Sequence, residues 1–355
     1  MEGLHMTRPK ETRVPPKPPA VSDATWVKLY DTFTHFAELK PWQDFDDDSL
    51  FAVQDPVTGQ MGYACILGAL GQVLSLCLYR GTGGFDVHQR MQRGEIDQDT
   101  DDIFALQDAL MAETTARKEL QAADLAVIRD LGLKFRGRRG WPLFRSHLPG
   151  HLPWHLTEQE AVFLAFALRC AGDAVEGVRA GRIHLDAQPE RVYAYFPAAG
   201  NPGFTARWEP YPVHRPEPPA PLSLPTDKLN ALAAFEADAP WEVQAFFIPA
   251  PIMDRERPYF ARYLLLAHAP SGYILNALAV SPEHPVHQTI AEAVVQAIEK
   301  NGRKPSELHV HEDPLVAALS PLGKALGLRV KAKRFLPAIQ EAKDGLIEAM
   351  AKGLR

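Results

Sequence analysis

Near the end of the chain His309 and His311 stand two residues apart and run directly into Glu312 and Asp313. Imidazoles and carboxylates are the common protein ligands of zinc, and imidazole carries protons near neutral pH. Alternate residues of a strand share a face, so His309 and His311 point one way and Val310 the other. Joined by His284 or His287, the group could form the centre of a metal-dependent hydrolase or nuclease. The plainer expectation is that these histidines are hydrogen-bonded structural residues and that Asp313, ahead of Pro314, caps a helix.

A second set of histidines, His147, His151 and His155, recurs at four-residue steps. On a helix they would stack on one face and could bind a metal. Pro149, Gly150 and Pro153 exclude that helix, and no HExxH arrangement accompanies them. The expectation is a loop whose prolines and Trp154 set the entry to the next helix, with no metal and no cofactor. Just upstream, Lys134, Arg136, Arg138, Arg139 and Arg145 alternate with Phe135, Trp141 and Phe144. Cations suit phosphates and aromatic rings suit bases, so Lys134, Arg136, Arg138, Arg139, Trp141 and Arg145 are candidate contacts to nucleic acid or a phosphate ligand. The competing expectation is a surface loop anchored by its aromatics, its arginines capping a helix or pairing with acids. The glycine-rich turn Arg80-Gly81-Thr82-Gly83-Gly84 lacks the Walker spacing and a full GxGxxG. It is expected to be a tight strand-to-helix connection.

The chain that positions these residues has 355 residues, 46% hydrophobic and 23% charged, with a formal net charge of -6. That length suits about two domains, and the charge provides no global attraction to nucleic acid or lipid. Three cysteines without a CxxC pair argue against a disulfide framework and for a reducing cytoplasm. No apolar run is long enough to span a membrane, and the N-terminus has no secretory apolar core.

Residues 1–21 read as a flexible leader and 22–212 as an α+β domain, a small antiparallel sheet plus helices. Ser22 caps a helix carrying Trp26, Leu29, Phe33 and Phe36, and Thr157 with Glu160 forms a capping box for another. Ile103, Leu106 and Leu110 suggest a further helix stripe. Short β-prone runs occupy 51–54, 61–67, 73–79, 191–197 and 204–210. A proline-rich linker spans 213–225. From 226 to 355 the expected order is three antiparallel strands, then helix, strand, helix, strand, helix. Ser320-Pro321 suggests that the second of those helices is kinked or in two pieces.

That βββαβαβα order resembles the α/β ribonuclease-H-like fold. Asn301-Gly302-Arg303-Lys304-Pro305, then 308–313, then Leu326-Gly327-Leu328, look like the same stretch of integrase-type cores. The chain over 24–351 also resembles a bacterial two-domain family of unknown function, whose first domain carries text like Pro149-Gly150-His151-Leu152-Pro153-Trp154. Nuclease chemistry on this fold implies carboxylates holding two metal ions, the first on the opening strand. Here that strand offers Gln244, Ala245, Phe246, Phe247 and Ile248, with no acid between Val243 and Met253, and Glu292 falls on a solvent face. The expectation is a non-enzymatic cytoplasmic binding protein with a degenerate ribonuclease-H-like domain.

Overall fold

The computed structural model describes residues 16–353, apart from 70, 72–73, 97–102, 186–187, 189, 201–202, 216, 254–255 and 281–283. Most of the expected leader therefore lies outside the described residues. Two compact units emerge: the residues up to Pro216 together with Met253–Pro258, and Glu217–Ile252 together with Tyr259–Arg355. Among the described residues no helix is long and apolar enough to cross a membrane.

The first unit runs α1 (Asp23–Glu38), β1 (Leu50–Gln54), β2 (Met61–Leu67), β3 (Leu74–Arg80), α2 (Gly81–Gln92) and α3 (Ile103–Leu106). It continues with β4 (Ala109–Thr115), α4 (Ala122–Asp130), β5 (Trp141–His147), α5 (Glu158–Arg179), β6 (Arg191–Pro197) and β7 (Phe204–Pro210). Its strands form one sheet in the order β5-β4-β3-β2-β1-β6-β7, antiparallel except for the parallel β1–β6 pair. Alternation sorts the side chains. Phe51, Val53, Ala64, Ile66, Leu76 and Leu78 meet α1 and α5 on one face. Ala52, Tyr63, Cys65, Cys77 and Tyr79 meet Phe85, Val87 and Met91 of α2 on the other. The sheet is larger than the sequence suggested. Leu110, expected on a helix, lies in β4, and the basic stretch enters β5 at Trp141.

Both expected caps form: Ser22 Oγ accepts the Thr25 N–H, and Thr157 and Glu160 bond reciprocally. The glycine-rich turn is a packing device. Gly81 sits at φ +63°, and a Cβ on Gly84 would stand 3.0 Å from the Asp108 carbonyl oxygen. His214 Nδ1 lies 3.2 Å from Thr82 Oγ1, over the start of α2.

The second unit runs α6 (Thr226–Ala233), β8 (Trp241–Ile252), β9 (Tyr259–His268), β10 (Ile274–Val280), α7 (Val286–Asn301), β11 (Glu307–Val310), α8 (Asp313–Leu326), β12 (Arg329–Ala332) and α9 (Pro337–Gly353). The sheet order is β10-β9-β8-β11-β12, antiparallel on the β10 side and parallel on the β12 side. This is the ribonuclease-H-like arrangement expected from the element order. Gly302 and Gly327, both at φ +67°, end α7 and α8. α8 is one continuous helix through Pro321, not two pieces. One sheet face packs Trp241, Val243, Leu264 and Leu266 against α7 and α8. The other packs Phe246, Ile248, Leu265 and Ala267 against Leu336, Ala338 and Ile339 at the start of α9.

Candidate functional site

On a ribonuclease-H-like sheet the opening strand is where a metal-holding acid would stand, and β8 does carry one. Glu242, one residue before the acid-free run from Val243, is 4% exposed. Its Oε2 accepts the backbone N–H groups of Ala338 at 2.9 Å and Ile339 at 3.2 Å. These are orphan donors of the first turn of α9, where a carboxylate also suits the helix dipole. A buried acid with two such bonds is a helix cap.

In register beside Glu242 on β11 is His309, and beside that on β12 is Lys331. All three therefore share the α9 face. Glu307, on the same face, gathers its neighbours: Lys331 Nζ at 2.7 Å, Arg329 Nη2 at 3.1 Å and His309 Nε2 at 3.2 Å. Hydrogen bonds from Lys331 and His309, with the nearby cationic charges, bring the Glu307 carboxyl down to about 2.

The other residues expected at a hydrolytic centre disperse. His311 and Glu312 are exposed beyond the end of β11. Asp313 does not cap α8 as expected; Glu312 holds the capping position without a side-chain bond, and Asp313 is the first helical residue. His287 is buried with Nε2 2.7 Å from the Ala220 carbonyl oxygen, and His284 is exposed. Glu292 is exposed and accepts from Gln288, as the helix pattern implied. Among the described residues no three metal-ligating side chains converge.

In the first unit the basic stretch divides. Lys134, Arg136, Arg138 and Arg139 are exposed on the turn before β5. The aromatics turn inward: Phe135 stacks on Tyr30 at 5.7 Å, and Phe144 meets Tyr30 and Phe33 edge-on. Trp141 lies beside Phe135, and the Arg117 guanidinium sits 5.6 Å from its ring centroid. Arg145 does not belong with the surface cations. It is 9% exposed and holds Asp124 through two bonds of 2.9 and 2.7 Å. The three histidines are likewise kept apart. His155 bonds Gln121 and lies 3.4 Å from Asp124, His151 Nδ1 is 2.9 Å from the Pro149 carbonyl oxygen, and His147 is set among arginines.

A charge network that sequence spacing did not reveal lies behind β5. Arg80 at the end of β3 reaches Asp108 at 2.5 Å, Glu160 of α5 at 2.6 Å and the His147 carbonyl oxygen at 2.8 Å. Ser146 Oγ donates to Glu160 at 2.5 Å, and Arg257 bonds both Ser146 Oγ and its carbonyl oxygen. Burial, helped by the charge of Glu160, raises the Asp108 carboxyl above its ordinary range against the opposition of Arg80 and Arg257. Burial also pushes on Glu160, but Ser146, Thr157 and Arg80 outweigh it and the net direction is down. Burial lowers Arg257 to about 10, and it lowers His147 to about 4 with the help of Arg257, Arg80 and Arg145. For Asp124, hydrogen bonds from Arg145, His155 and the Gln121 N–H overcome burial and hold the carboxyl well below the usual range.

Two family models match the chain, each described as a domain of unknown function: DUF7309 over residues 26–194 and DUF6930 over 228–347. No curated protein matches significantly. Among solved structures the chain is similar to the simian T-cell lymphotropic virus intasome in complex with PP2A regulatory subunit B56 gamma. That match is 13% identical at TM-score 0.25, covering 31% of this chain and 39% of that one. It is also similar to the catalytic core domain of BIV integrase, 16% identical at TM-score 0.22, covering 32% and 64%. The chain thus spans less than two thirds of either neighbour. At these scores the likenesses add nothing to what the strand order already gives.

Proposed function

We propose that this chain is a binding protein whose ribonuclease-H-like domain is a scaffold and not a hydrolase. The observation that carries this reading is Glu242. The acid available on the opening strand is committed to two backbone N–H groups of α9, and recruiting it to a metal would uncap that helix. Glu307 is likewise saturated by cations. The test is incubation of the full chain with single- and double-stranded DNA and RNA in magnesium or manganese, beside the Glu242→Gln variant. No metal-dependent cleavage is expected from either. Cleavage by the parent chain that Glu242→Gln abolishes would overturn the proposal, as would stoichiometric zinc or manganese lost on changing His311.

The exposed turn bearing Lys134, Arg136, Arg138 and Arg139 favours nucleic acid as the ligand of the first unit. Contact there would be through phosphates, because Phe135 and Phe144 are committed to packing and the Trp141 ring already faces Phe135 and the Arg117 guanidinium. Affinity for an oligonucleotide should then fall steeply with salt, and Arg136, Arg138 and Arg139 changed together to Ala should flatten that dependence. Binding indifferent to salt would remove this reading.

A further inference from the structure

We propose that the free edge of β12 is a docking site for an extended acidic peptide, which adds to the five-stranded sheet as a sixth strand. The proposal rests on the second unit being a binding scaffold. It begins with the direction of the backbone. β12 ends the sheet, and the Lys333 N–H donates to the Val310 carbonyl oxygen at 2.8 Å. Backbone groups alternate sides along a strand, so Arg329, Lys331 and Lys333 turn theirs toward β11. Val330 and Ala332 turn their N–H and C=O groups outward. Such an edge is a template for main-chain hydrogen bonds from another segment.

Beside that edge lies a groove of about 930 Å³, formed by α8 and β12 and including Val316, Ser320, Lys324, Val330 and Ala332. Its floor is close-packed because α8 carries Gly323 there. A Cβ at that position would stand 3.0 Å from the Leu328 carbonyl oxygen and 3.3 Å from Val330 Cγ2.

Charge chooses the occupant. Lys324, Arg329, Lys331 and Lys333 line the groove against one acid, Asp313. A second copy pairing edge to edge would set three cations of the strand against their own counterparts, the arrangement that discourages self-pairing. A carboxylate fits, and Glu307 shows how: one of its oxygens takes both Lys331 and Arg329. Arg329 remains 77% exposed while doing so. An added strand would send alternate side chains to the two faces. The matching peptide therefore alternates acids, toward Arg329, Lys331 and Lys333, with small apolar residues, toward Val316 and Val330. Four residues of β12 give about 13 Å of edge at roughly 3.3 Å per residue, enough for a peptide of about four to six residues.

The probe is a fluorescein-labelled hexapeptide of alternating glutamate and valine, titrated with the full chain at low salt and read by anisotropy. Saturable binding is expected, with none to the peptide carrying lysine for glutamate. Ala332→Pro removes an outward N–H without touching the β11 ladder and should weaken binding about tenfold or more. Lys324→Glu with Lys333→Glu should do the same and keeps the test decisive if the proline variant fails to fold. No binding by the parent chain, or equal binding by the charge-reversed variant, would overturn the proposal. So would displacement of the peptide by single-stranded DNA, or a dimer of the parent chain that Ala332→Pro dissociates. Failure here leaves the non-catalytic scaffold standing, whereas metal-dependent nuclease activity would remove the scaffold whatever the peptide does.

Discussion

The Arg80 network of the first unit and the Glu307 cluster of the second use the same chemistry, a shielded carboxylate held by cations, but the cations are buried in one and solvated in the other. Arg80 and Glu160 have side chains only 12% and 14% exposed, and the network is closed by Ser146, Thr157 and backbone groups. Glu307, on β11, is 16% exposed, much like Glu160, but its cations stand on the edge strand β12, where Arg329 is 77% and Lys331 41% exposed. A dehydrated, fully bonded carboxylate is expensive to disturb and has nothing left to offer a ligand. One held by solvated cations costs little to disturb, and its partners can exchange it for another anion. Location in the fold thus separates architecture from a usable surface.

The contrast breaks most sharply at Arg80. Arg80→Ala strands Glu160 and Asp108 and should lower unfolding free energy by about 3–5 kcal/mol in a denaturant titration. Glu242→Ala should cost less, about 1–3 kcal/mol, because it leaves two first-turn N–H groups of α9 without an acceptor. An effect absent at neutral pH and felt only in acid belongs to His147. Its imidazole is held down to about 4, so the folded state resists the proton that the unfolded chain accepts near 6.5. Stability from this source is complete above about pH 6.5 and is lost as pH falls toward 4, and His147→Gln should flatten melting temperature over that window. Smallest of all, Glu307→Gln should leave the melting temperature almost unmoved while raising affinity for the acidic hexapeptide, since its cations are then released. A large destabilisation there would erase the distinction between the two clusters.

The second unit was legible because its punctuation is strong. Gly302, Gly327 and the prolines mark helix ends, and the apolar runs are either continuous or spaced by four. The first unit was harder. Leu110 fits a helical spacing with Ile103 and Leu106, but the chain leaves the helix at Leu106 and pairing with β3 and β5 decides its conformation. The basic stretch read as one surface although Arg145 lies inside a strand, where alternation and Asp124 draw it inward. Glu242 was illegible because it stands second in β8, where sequence alone does not fix the strand's start, and its two acceptor bonds go to backbone 96 and 97 residues away. The partners of Arg80 are 28, 67 and 80 residues away, and no local pattern announces such a meeting.

Arg257 has a consequence for how the protein is made. The first unit is discontinuous in sequence, closing only with Met253–Pro258. A ribosome that has finished residue 216 must add 41 more before this arginine exists to cover Ser146, roughly 2 to 8 seconds at about 5–20 residues per second. Until then a nascent chain carries Arg80, Glu160 and His147 with one wall of their enclosure still unsynthesised.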